Sequence, residues 1–249
     1  MKMSSRTVSA CLRSGIAGAG LALAALGCAT TQQAKLDKEN YCAFLGSDVC
    51  AKLTPTETPG RLSGAAIAGT GDPEAGLRYV DPNAQWTSYS KVMIAPVTFW
   101  GGEDTKLSAD DQHKLTNFFY HAIEQQLAKK FAVVQEPGPG VMTVQVALLD
   151  AETATPVLRT ISMIVPQARG LSTLKYLATG SYAFVGGAEA EAKVLDSLTN
   201  EVLTAGVDRR IGGGSLKTAA QWQWGDAENA MNAWAEQLAN RLSTWTSGK

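Results

Sequence analysis

The side chains able to do chemistry are few and widely spaced. His113 and His121 are the only histidines, eight residues apart. On a helix this sets them about 80° apart, whereas a zinc pair takes i, i+4 spacing with further ligands. No HExxH, GxSxG or GxxxxGK[ST] pattern occurs, so zinc-peptidase, serine-hydrolase and P-loop chemistry all lack their motifs. Solvated helix-surface positions are the expectation for both histidines. Glu189 and Glu191 alternate along one strand, which puts two carboxylates on one face, the pairing a glycosidase uses. With Lys193 beside them, a charged and solvated strand face is the simpler expectation. Asp208, Arg209 and Arg210 form a charge cluster suited to a strand-end ion pair or to an acidic partner. Four of the six tryptophans fall in the last 28 residues. Trp234 and Trp245 share an apolar stripe, while Trp222 and Trp224 precede it, where exposure would suit an interface. Trp222, Trp224, Asp208, Arg209 and Arg210 are therefore the candidate partner surface, and no catalytic, metal or cofactor site is expected.

The elements that must carry these groups follow from periodicity. Lys91 to Phe99 is a nearly continuous apolar run closed by Gly101-Gly102, the pattern of a strand buried on both faces, with Pro96 at a bulge or near its end. Ser108, with Asp111 three residues on, opens an amphipathic helix over about 109–130, whose stripe is Leu115, Phe118, Phe119, Ala122, Ile123 and Leu127. Strands follow at 132–134 and 141–149 around a Pro-Gly-Pro-Gly turn. The alternation from Ala188 to Val194 and the run 202–210, joined through 196–201, read as a hairpin with one face toward helices and one toward water. A last helix from near Asp226 presents Met231, Trp234, Leu238, Leu242 and Trp245 on one stripe. The segment 155–184 is apolar, with Arg159, Arg169 and Lys175 its only charges, and finds no place in this pattern.

The amino terminus reads as an address. Lys2, Arg6 and Arg13 precede a 13-residue apolar stretch, Ser14 to Leu26; at 1.5 Å per residue this rises about 20 Å, short of a bilayer core. Ala25-Leu26-Gly27-Cys28 resembles the lipobox of bacterial lipoproteins. That resemblance implies cleavage after Gly27, a diacylglycerol thioether on Cys28 and acylation of its new amino group. Three chains anchor stably where one holds marginally. Ala29, where Asp would retain an inner-membrane lipoprotein, implies the outer membrane and its periplasmic face. Cleavage would remove three basic residues and no acid, taking the formal charge from −1 to −4; nucleic acid is excluded as a partner on charge grounds. Of four cysteines, Cys11 is lost with the signal peptide and Cys28 is lipidated. Cys42 and Cys50 remain, enclosing seven residues with Gly46. In an oxidising compartment they are expected to form a disulfide, against the alternative of two free buried thiols.

Further residues carry a second resemblance. Phe44-Leu45, Leu53-Thr54-Pro55, the run Leu77 to Pro82, Tyr89 with Lys91 to Val97, Val185 to Glu191, Asp196-Ser197 and Val207 to Arg210 are similar to a family of proteobacterial lipoproteins, domain-of-unknown-function family 3313. The likeness runs from about Phe44 to the carboxyl terminus. It implies the lipoprotein class and a compact α/β domain, and no activity. Thr199-Asn200-Glu201 stands where that family usually has Thr-Gly-Glu.

The expected organisation is a signal peptide (1–27), a polar tether (28–40), an irregular segment with the candidate disulfide (41–76) and a globular domain (77–249). Its fold is α/β in the α+β sense, a two-layer sandwich with a mainly antiparallel sheet packed against two principal helices. The expected function is an outer-membrane-anchored periplasmic lipoprotein whose non-catalytic domain binds or scaffolds an envelope protein or peptidoglycan. A periplasmic carrier or sensor of an apolar ligand, with 155–184 as a cover, is the alternative, and a carboxylate-dependent hydrolase a lesser one.

Overall fold

The computed structural model describes residues 31–34, 36, 42–55, 61–62, 65–66, 76–101, 105, 107–152, 186–212 and 224–248. The signal peptide, Cys28, Trp222 and the segment 155–184 lie outside the described residues.

In chain order the strands are β1 (Thr31–Ala34), β2 (Thr54–Pro55), β3 (Arg61–Leu62), β4 (Ala65–Ala66), β5 (Leu77–Val80), β6 (Lys91–Ile94), β7 (Thr98–Phe99), β8 (Ala132–Val133), β9 (Val141–Glu152), β10 (Gly187–Asp196) and β11 (Val202–Gly212). The helices are α1 (Ser47–Cys50), α2 (Ala109–Leu127) and α3 (Gly225–Thr246). Nine strands form one sheet in the order β2-β5-β11-β10-β9-β6-β8, with β1 also on β11 and β7 also on β9; β3 and β4 pair separately. Every pairing is antiparallel except those of β6 with β8 and β9, and of β7 with β9. The expected two-layer α/β sandwich with a mainly antiparallel sheet is therefore the fold, with α2 and α3 as its helix layer.

Local chemistry accounts for the element ends. The Ser108 hydroxyl accepts from the Asp111 N–H (3.1 Å) and donates to the Asp111 carboxylate (2.8 Å), which satisfies a free donor at the start of α2. Asp110 and Asp111 add negative charge where the helix dipole favours it. Pro96 falls between β6 and β7, so the expected continuous strand is broken there, and both pieces pair with β9. Asn200 closes the β10–β11 turn at φ 60°, left-handed backbone that glycine and asparagine adopt with least strain.

The helix face of the sheet carries Met142, Val144, Val146 and Leu148 from β9 and Ala188, Ala190, Ala192 and Val194 from β10. Against them α3 sets Ala227, Ala230, Ala235 and Ala239, all buried; small residues on both layers let helix and sheet approach closely. Leu115, Phe119, Ile123 and Leu127 fill the α2 side. Each such side chain contributes roughly 1.5–3 kcal/mol by leaving water.

Two expectations are corrected. Thr31–Ala34, inside the segment expected as a polar tether, pairs with Arg209–Gly212 of β11. Its polar side chains give no strand signal, because an edge strand is held by the backbone ladder of its neighbour. The second correction concerns the sheet face opposite the helices, expected to be solvated. Glu189 and Glu191 point there and are 2% and 0% exposed. The Cys42–Cys50 loop returns over this face, and nothing in the local alternation of β10 encodes that.

Candidate functional site

On the face away from the helices, Glu191 is the anchor of the amino-terminal loop. One carboxylate oxygen accepts from the Cys42 N–H, and the other accepts from the N–H groups of Phe44 (3.1 Å) and Leu45 (2.9 Å). Cys42 and Cys50 form a disulfide with Cα atoms 5.7 Å apart, inside the usual range. Lys193 Nζ donates to the Phe44 carbonyl (3.2 Å) and lies 4.6 Å from the centre of the Phe44 ring, a cation–π placement. Phe44 in turn meets Trp100 edge to face at 5.7 Å. Farther along this face Arg209 bonds Glu152 and approaches Glu189 at 4.0 Å. The two carboxylates that sequence spacing offered for acid/base work are thus enclosed by the chain's own donors.

On the helix face Asp208 accepts from Arg210 Nε (3.1 Å), Trp234 Nε1 (2.8 Å) and the Gly76 N–H (3.1 Å). Arg210, 2% exposed, also reaches Gln237 Oε1 at 3.5 Å. A buried ion pair persists only when hydrogen bonds satisfy both partners, and here they tie β11 to α3. Asp226 at the start of α3 accepts from the Gly186 N–H (2.9 Å) and is wholly buried.

Of the expected partner surface, the described residues Asp208, Arg209, Arg210 and Trp224 are therefore not brought together as one exposed patch. Asp208, Arg210 and Trp224 are buried, and Arg209 and Asp208 face opposite sides of the sheet, as neighbours on a strand must. Trp224 ends up in the core because α3 begins one residue later and draws it under the helix. His113 and His121 are exposed on α2, His121 Nδ1 standing 3.3 Å from Glu124. Among the described residues no group of three or more His, Cys, Asp or Glu could hold a metal ion.

Perturbed acidity marks a structural clamp. The Tyr89 hydroxyl donates to Asp196 (2.9 Å). Burial, then this bond and the Asp196 charge, push its pKa from 10.0 up to about 12. Burial raises Asp196, but N–H donation from Thr199 and Leu198, with the Tyr89 and Thr199 hydroxyls, outweighs it and holds this carboxyl below the ordinary value of 3.8. These bonds fasten the β10–β11 turn to the Tyr89 segment.

A concave feature among the described residues lies beneath α3. A cavity of about 110 Å³ has Ala190 and Ala192 of β10, Val146 of β9 and Gly206 of β11 as its floor, with Trp234 and Leu238 of α3 above. Phe119 and Ile123 of α2 border it, as do Arg78 of β5 and Arg241 of α3. Ala192, on a central strand and on the helix face, is only half-buried, because cavity rather than side chain stands over it. Sequence reasoning missed this site. Its trace is the run of small residues Ala188, Ala190, Ala192 and Gly206, which keeps the sheet register but fills little volume.

A family model described as "Protein of unknown function (DUF3313)" matches residues 68–238. None of the curated proteins matches the chain. Among solved structures, the PelC dodecamer of Paraburkholderia phytofirmans is similar at 8% identity and TM-score 0.35, over 65% of this chain and 94% of that one. A DUF330 protein of Xanthomonas campestris is similar at 13% identity and TM-score 0.35, over 68% and 93%. A DUF4136 protein of Bacteroides thetaiotaomicron gives 13% identity and TM-score 0.32, over 69% and 96%. Likenesses of this size carry no statement about function.

Proposed function

That the chain belongs to the DUF3313 family of proteins of unknown function is the premise from which we propose a lipid-anchored envelope protein with a non-catalytic binding domain. In this reading the mature chain begins at an acylated Cys28, sits at the periplasmic face of the outer membrane, and holds an envelope protein or peptidoglycan. The observation that carries it is the commitment of the ionisable groups: Glu191, Asp208 and Arg210 are buried and bonded to the chain's own donors and acceptors. Bonds of this kind hold elements together and keep these three groups from a substrate. No helix among the described residues is long and apolar enough to cross a membrane, and in this reading the lipid on Cys28 provides the attachment.

The edge strand changes how such an anchor works. β1 begins at Thr31, three residues beyond Cys28, and three residues reach about 10 Å. The sheet edge at Gly212 would then lie close to the headgroups. A domain held that near presents its sheet end to the membrane and its far loops to partners in the periplasm. The alternative reading, a carrier of an apolar ligand, is favoured by the cavity beneath α3.

Crosslinking in intact cells followed by mass spectrometry tests the proposal. The expected result is a reproducible crosslink to one envelope component that Cys28→Ala abolishes. No reproducible envelope crosslink, together with turnover of a substrate by the purified protein, would refute it.

A further inference from the structure

We propose that the Cys42–Cys50 disulfide is a redox latch: its reduction by a dithiol lets the amino-terminal loop lift from Glu191 and Lys193, and its re-formation closes the loop again. The latch belongs to the folded chain alone and does not rest on the anchoring proposal.

Backbone conformation supplies the spring. Cys42 holds φ 86°, left-handed backbone in which a residue with a Cβ is strained. Its N–H donates to one oxygen of Glu191, while the N–H groups of Phe44 and Leu45 donate to the other. The angle at Cys42 sets the turn between the first donor and the other two, so all three meet one carboxylate only while that angle stays positive. At ordinary negative φ they diverge. Strain of this kind persists only where the surroundings impose it. Here Glu191 holds the three donors from one side, and the bond to Cys50, eight residues on, closes the loop from the other.

Little else holds the loop down. The bonds from the Gly46 N–H to the Cys42 carbonyl and from the Cys50 N–H to the Gly46 carbonyl, both 3.0 Å, are internal to it. Within 42–50 Leu45 is the one fully buried residue. A segment with so little buried apolar surface opens more readily than the strands beneath it. Both cysteines are half-buried and Gly46, Ser47 and Asp48 between them are exposed, so a small reductant reaches the sulfurs.

The exchange balances without another reactant. A thiolate of the dithiol attacks one sulfur, the Cys42–Cys50 bond breaks, and the departing cysteine takes up a proton as a mixed disulfide forms. The second thiolate then displaces the other cysteine, which is protonated in turn. Two electrons pass to the cysteine pair, and the dithiol leaves as its own disulfide. Cys42 is then free to leave φ 86°. Glu191 is 0% exposed, and a carboxylate kept buried without donors is costly, so the loop opens to water rather than settling in place. Opening also takes the Phe44 carbonyl and ring from Lys193. The ladders of β10 with β9 and β11 are untouched.

The test uses the full chain with Cys11→Ala and Cys28→Ala, whose only cysteines are then Cys42 and Cys50, and dithiothreitol as reductant. On reduction, hydrogen exchange at the Phe44 and Leu45 amides should rise about tenfold. Lys193 should acylate faster, β9 amides should keep their protection, and reoxidation should restore the loop. Cys42→Ser with Cys50→Ser should match the reduced protein. Cys42→Gly with Cys50→Ser lacks the same bond but tolerates φ 86°, and should keep the two amides about tenfold better protected than Cys42→Ser with Cys50→Ser does. If the latter fails to fold, the reduced parent serves as the comparison. The proposal is overturned if dithiothreitol leaves the native disulfide intact, or if the loop amides of the reduced protein stay protected. Loss of β9 protection together with the loop would also overturn it, as would Cys42→Gly with Cys50→Ser opening as freely as the reduced parent.

Discussion

Replacing Glu191 should loosen the amino-terminal loop before it disturbs anything else. The carboxylate accepts three backbone N–H bonds, from Cys42, Phe44 and Leu45, at a wholly buried position. Bonds to a charged acceptor contribute about 1.5–3 kcal/mol each, and a buried donor left unmatched costs about 1–3 kcal/mol. Glu191→Gln keeps one acceptor oxygen and turns an amide NH2 toward the remaining donors. At least one backbone N–H then loses its partner, and the carboxylate charge that the three donors meet is gone. The expected loss is about 2–3 kcal/mol, and Glu191→Ala, which adds a void, should cost about 4 kcal/mol. Urea titration read by tryptophan fluorescence gives the midpoint shift at constant slope. Hydrogen exchange at the Cys42, Phe44 and Leu45 amides should accelerate, while amides of β9 keep their order of protection. A Glu191→Gln protein within 0.5 kcal/mol of the parent, with those three amides equally protected, would refute the reasoning.

Other outcomes follow from the same contacts. Reducing Cys42–Cys50, or replacing both by Ala, frees a loop of about nine residues and should cost about 2.5 kcal/mol by loop entropy, read as a lower melting temperature. Asp208→Asn removes the charge opposite buried Arg210 and should cost about 3 kcal/mol in urea titration, whereas an exposed change such as Lys114→Gln should stay within 0.5 kcal/mol. The Tyr89–Asp196 clamp should act at both pH extremes. Tyr89 is raised when folded, so its contribution is complete below pH 10 and is lost between about 10 and 12. Asp196 is lowered when folded, so its contribution is present above its unfolded value and is lost as pH falls below about 4; Tyr89→Phe should flatten the alkaline limb of stability against pH. Asn200→Gly should be neutral, and Asn200→Val should cost about 1–2 kcal/mol, since a β-branched residue resists φ 60°.

What the sequence made legible was whatever is written locally. Ser108 and Asp111 announce α2, the alternation of β10 announces a strand with an alanine face toward the helices, and the fold class follows from these. The unread parts are those where one segment completes another. Thr31–Ala34 has no apolar alternation because its binding is backbone pairing to β11. Glu191 reads as solvated because its cover is a loop 146–149 residues away in the chain. Asp208 and Arg210 read as a surface cluster because their partners, Trp234 and Gln237, belong to a helix that packs on them only in the fold. Trp224 reads as exposed beside Trp222, yet the start of α3 buries it. The cavity escaped notice because small residues mark a close approach and an empty space alike, and only the packed layers distinguish the two.

The proposal of an anchored domain turns on Cys28. Mass spectrometry of the amino-terminal peptide from protein extracted from membranes should find Cys28 as the first residue, bearing a diacylglycerol thioether and an amide-linked acyl chain. A mature chain that begins elsewhere, or an unmodified Cys28 that alkylates freely in protein recovered without detergent, would contradict the account.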